Sequence, residues 1–63
     1  MMLSDMHMIV LRDIATKGEV DITKIGEARR QKIIDLGMHE PALVDVQGDM
    51  IAITAAGRAW LRQ

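Results

Sequence analysis

Between Lys24 and Lys32 the chain gathers Lys24, Arg29, Arg30 and Lys32 against a single carboxylate, Glu27. Phosphate recognition needs such a cluster. Arginine can grip guanine edges with two parallel hydrogen bonds, and arginine and lysine both clamp backbone phosphates. Gln31 lies inside the cluster and counts with it. Arg58 and Arg62, near the other end, could touch phosphate if that end faced a duplex. More commonly such arginines are solvated or paired with a neighbouring acid.

Other chemistry has little to work with. His7 and His39 are the two imidazoles, and Glu40 follows His39. A metal site needs three or four converging ligands, and no spacing here supplies them. His7 is expected at the edge of the core and His39 in a loop before Pro41. There is no cysteine, hence no disulfide, thiolate site or sulfur nucleophile. There is no glycine-rich phosphate loop, and Ser4, Thr16, Thr23 and Thr54 fall mostly where helix caps are needed. Neither catalysis, nor a cofactor, nor a metal is expected.

The 63 residues make one domain, 1–63. A chain of this size buries only about 60% of the surface its unfolded form exposes, so its margin of stability is thin. The apolar fraction of 49% suffices for a core, but Trp60 is its one aromatic residue, so Ile, Leu, Val and six Met must fill it. Trp60 and Leu61 are expected to dock the C-terminal segment on that core. The net charge of −1 lacks the overall basic excess of a dedicated nucleic-acid binder. No apolar run is long enough to span a membrane. The first residues lack a basic signal-peptide start. A cytoplasmic protein is expected.

These side chains must be positioned by a few short elements. Ser4–Lys17 reads as a helix with Ser4 as N-cap and Gly18 as its stop. At 100° per residue Leu3, His7, Val10, Leu11 and Ile14 share one face, while Ile9 falls among polar residues. Glu19–Ile22 alternates and reads either as a short strand pairing beside a hairpin or as a loop. Thr23–Leu36 predicts a second helix. Thr23 is its cap, Gly26 weakens its first turn, Gly37 is its stop, and Met38 folds back on it. Ile33 and Leu36 share its buried side, with Arg29 and Lys32 beside them. Glu27, Gln31, Ile34 and Asp35 fall opposite, with Arg30 at the margin. Leu43–Val46 and Met50–Thr54, broken at Gln47-Gly48-Asp49, predict the hairpin. Thr54 caps a short final helix.

A helix, a short strand, a helix, a hairpin and the phrase Ile53-Thr54-x-x-Gly57-Arg58-x-x-Leu61 resemble the winged helix-turn-helix superfamily, particularly small winged domains of bacterial and phage repressors. The phrase Lys32-Ile-Ile-Asp-Leu-Gly-Met38 is similar to the end of a recognition helix. The resemblance implies an α+β fold: a minimal winged helix with its middle helix reduced to a turn around Thr23–Gly26. It also implies a small DNA-binding, transcription-regulatory protein that meets duplex DNA through Lys24, Arg29, Arg30, Gln31, Lys32 and Arg58. The residues also support a second reading. The reading face carries Glu27, Asp35 and Ile34, and the wing tip ends in Asp49 where DNA-binding wings usually place a cation. With Met1, Met2, Met6, Met8 and Ile9 crowding one end, the chain could instead be a protein-interaction module. On that reading Met6, Ile9 and Ile34 are the contacts, to a partner protein or to a second copy in a homodimer.

Overall fold

The computed structural model describes residues 3–62. Met1 and Met2, the first members of the expected methionine cluster, lie outside the described residues. The elements run α1 (Asp5–Lys17), β1 (Glu19–Asp21), a 3-10 turn (Ile22–Lys24), α2 (Glu27–Met38), β2 (Val44–Gln47), β3 (Met50–Ile53) and α3 (Ala55–Leu61). The fold is α+β, with three helices and one antiparallel three-stranded sheet in the order β1-β3-β2.

Local chemistry sets most boundaries. The Ser4 side chain accepts the His7 backbone N–H, and the His7 ring accepts the Ser4 N–H in return. This is a capping box with histidine in the place usually held by glutamate or glutamine. Gly18 ends α1 at φ 84, a left-handed conformation that glycine adopts without penalty. Gly48 turns the hairpin at φ 61. Thr54 caps α3 by accepting the Gly57 N–H at 3.0 Å, and its hydroxyl donates to the Ala42 carbonyl at 2.7 Å. One residue thus caps the helix and ties it to the approach to β2.

The sheet has period two. Val20, Val44, Ile51 and Ile53 turn toward the helices, and Ile51 pairs with Val20 on one side and Val46 on the other. Val10, Leu11 and Ile14 of α1 meet Ile33 and Leu36 of α2 and Leu43, Val44 and Ile51 from the β2–β3 region in one aliphatic core. Trp60 and Leu61 pack on its edge, as expected. The Trp60 indole N–H donates to the Met8 sulfur at 3.0 Å, and the His39 ring meets the indole edge-on at 5.1 Å.

Three expectations about the ends of α2 fail. Thr23 does not cap it. Thr23 sits inside the 3-10 turn, and Gly26 is the N-cap, with no side chain to offer. Gly37 does not stop it. The helix continues through Gly37 to Met38. Met38 therefore stays on the helix and does not fold back; it is 75% exposed.

Candidate nucleic-acid interface

The basic cluster occupies the start of α2 and the turn before it. The reduced connection from β1 sets this arrangement, because Asp21 folds the chain sharply. Its Oδ1 accepts both the Thr23 backbone N–H at 2.9 Å and the Thr23 hydroxyl at 2.7 Å. The Asp21 carboxyl is held below its ordinary value of 3.8, first by the Thr23 hydroxyl, then by the Thr23 N–H and more weakly by the Lys24 charge. A depressed folded-state value stabilises the fold above the unfolded-state value and withdraws that support as pH falls through the folded one. NMR titration of the Asp21 carboxyl carbon should give a midpoint below 3.8. Thr23→Ala should move it upward, and an unmoved midpoint would remove Thr23 as the cause.

The cations differ in how free they are. Lys24 and Arg29 are exposed, and Lys32 is half-buried. Among the described residues none of the three is in an ion pair. Arg30 is engaged with its own helix start. Its Nη1 reaches Glu27 at 3.4 Å, its Nη2 donates to the Ile25 carbonyl at 3.2 Å, and its Nε is buried without a partner. Gln31 also donates to Glu27, at 3.4 Å. Glu27 therefore faces two members of the expected DNA-binding set and weakens their offer to a phosphate. Arg58 lies apart, exposed on α3, which packs on α1.

Asp35 is not on the outer face where periodicity put it. It turns to α1, where its Oδ2 lies 2.8 Å from His7 Nε2. His7 is only 5% exposed, so it is a buried tie between two helices rather than an edge residue. Its Nδ1 accepts the Ser4 N–H at 2.9 Å, which leaves the ring proton of the uncharged form on Nε2, donated to Asp35. With Asp35 withdrawn, the outer stripe of α2 carries Glu27, Gln31, Ile34 and Met38. Ile34 is 44% exposed, and on α1 Met6 and Ile9 are exposed as well.

The hairpin tip offers no cation. The outer sheet face carries Glu19, Asp45 and Gln47, with Gln47 donating to Asp45 at 3.1 Å. Among the described residues, no three His, Asp or Glu side chains are grouped to hold a metal ion. No helix among them is long and apolar enough to cross a membrane. The chain matches no family model, and no curated protein or solved structure gives a match.

Proposed function

We propose that this chain is a small DNA-binding, transcription-regulatory module of winged-helix type that grips duplex DNA through backbone phosphates. The observation that carries this reading is topological: α1, β1, a tight turn, α2 and a β2–β3 hairpin, with β1 closing on β3. In that frame α2 takes the place of the recognition helix, with Lys24 in the turn before it and Arg29 and Lys32 in its first half. Base reading has little support, because the outer stripe of α2 holds an acid, an amide and two apolar side chains. Phosphate contact by three cations makes affinity modest and salt-sensitive. On this reading the protein works in the cytoplasm.

Exposed Ile34 and Met38 favour a second reading. An α2 stripe that is half apolar suits a protein partner or a second copy better than a phosphate backbone.

Amide NMR titration with a mixed-sequence duplex separates the two. On the DNA reading, shifts cluster at 24–32 and fade as salt rises. Neutralising Lys24, Arg29 and Lys32 lowers the slope of log K against log salt by about one for each phosphate contact removed. Absence of shifts at low salt overturns that reading. The partner reading then requires self-association, or capture of a partner, that Ile34→Asp abolishes.

A further inference from the structure

The sheet order β1-β3-β2 leaves two edge strands, and an edge strand presents a row of backbone N–H and C=O groups with no strand beside it. β1 is three residues long, and two of them, Glu19 and Asp21, are acids. Paired with a second copy of itself, it would set carboxylate against carboxylate. β2 differs. Its Asp45, Val46 and Gln47 are all exposed, and Val46 is 49% exposed although it shares the helix-facing side of the sheet with Ile51. β2 carries no lysine, proline or bulge, the devices that commonly close an edge.

The direction of its free groups follows from the ladder. The Thr54 N–H donates to the Leu43 carbonyl, and bonded pairs alternate along an antiparallel ladder. Asp45 and Gln47 therefore bond to Ala52 and Met50, while Val46 turns its N–H and C=O away from β3. Among the described residues no turn or cap takes up these two groups.

We infer that β2 is a self-recognition edge: two copies of the chain pair their β2 strands antiparallel about a twofold axis at Val46, which joins their sheets into one. A free edge accepts another extended strand through main-chain hydrogen bonds, and the flanking side chains decide which strand. Here they select a second copy. With Val46 opposite Val46, each Asp45 stands opposite Gln47 of the other copy. The Gln47 amide already donates to Asp45 of its own chain at 3.1 Å, and the axis repeats that donor–acceptor match twice across the seam. On the helix-facing side the two exposed valines cover each other. The neighbouring register, with Asp45 on the axis, sets two carboxylates face to face and is disfavoured. The contact is small, so the dimer is weak and forms at high concentration. The inference does not rest on DNA contact, and its surface is the sheet edge rather than the α2 stripe.

The test is sedimentation and amide NMR of the full chain over a concentration series that reaches about 1 mM. A monomer–dimer equilibrium is expected, with the Val46 amide exchanging more slowly as the dimer fills. Gln47→Glu, at an exposed position, sets an acid pair across the seam twice and should weaken association by about tenfold or more. Adding Asp45→Lys to it makes each cross-strand pair opposite in charge and should restore association. Ile34→Asp should leave it unchanged, and circular dichroism melting checks that each variant is folded. The proposal is overturned by a chain that stays monomeric at about 1 mM, or by a dimer that Gln47→Glu leaves intact. A dimer abolished by Ile34→Asp belongs to the α2 stripe and overturns it as well.

Discussion

Gly57→Ala is expected to cost about 2–3 kcal/mol, although it replaces a poor helix former with the best one. Gly57 is buried inside α3, and its ordinary helical backbone makes no demand for glycine. On propensity alone alanine would stabilise by up to about 1 kcal/mol. The space around it reverses the sign. A Cβ at position 57 would overlap the Leu43 carbonyl oxygen and sit 2.6 Å from Ile53 Cγ1. The carbonyl cannot swing away cheaply, because it accepts the Thr54 N–H at 3.1 Å and so joins the approach to β2 to the start of α3. In a domain of this size the loss lowers the melting temperature by roughly 10–20 °C. Gly37→Ala is the matched control. Its Cβ would meet only Val44 Cγ2, at 3.8 Å, so it should be neutral or stabilising by up to about 1 kcal/mol. Thermal and urea unfolding followed by circular dichroism measure both. If Gly57→Ala melts at or above the parent, α3 does not dock as described.

That contrast shows what a linear reading of this chain can reach. Ser4 and Thr54 announce helix starts because a capping side chain bonds within three residues of itself, and the pattern is local. The hairpin was legible for a similar reason: alternation and a turn glycine are short-range signals, whereas the pairing of Glu19–Asp21 with Met50–Ala52, distant in the chain, was not. Glycine itself is ambiguous. Gly18 and Gly48 are needed for positive φ and Gly57 because another segment passes close by, whereas Gly37 is a helix residue with room for a methyl group. Nothing adjacent to Gly37 distinguishes a helix stop from a helix interior. The Lys24–Lys32 cluster was visible as composition. How far each member is spent was not, because Arg30 folds back on a carbonyl before its own helix. A groove lined by residues of α1, β1 and α2 together is likewise invisible to periodicity.

The pairing of His7 with Asp35 is the plainest case of such a nonlocal fact, and it carries a second large effect. His7→Ala is expected to destabilise the protein by about 2–3 kcal/mol through three losses. It opens a small cavity beside Val10 and Leu11, removes the ring half of the Ser4 capping box, and strips Asp35 of its donor. The Asp35 side chain is 38% exposed, so water replaces part of the lost hydrogen bond, and that loss belongs at the low end of the range for charged acceptors. Glutamine separates the contributions. At this position it can still accept the Ser4 N–H, as in an ordinary capping box, but it cannot do that and also reach Asp35. His7→Gln should therefore recover about 1 kcal/mol of the loss. In a double-mutant cycle with Asp35→Asn, His7→Ala and His7→Gln should both show coupling of about 1 kcal/mol, because both remove the bond to Asp35. The bond also sets the position of α2 against α1. Breaking it should shift amide resonances along α2 toward the free cations, without changing those of the hairpin tip. If His7→Gln is as unstable as His7→Ala and the cycle shows no coupling, His7 acts as filler alone. The placement of α2 would then rest on Ile33 and Leu36.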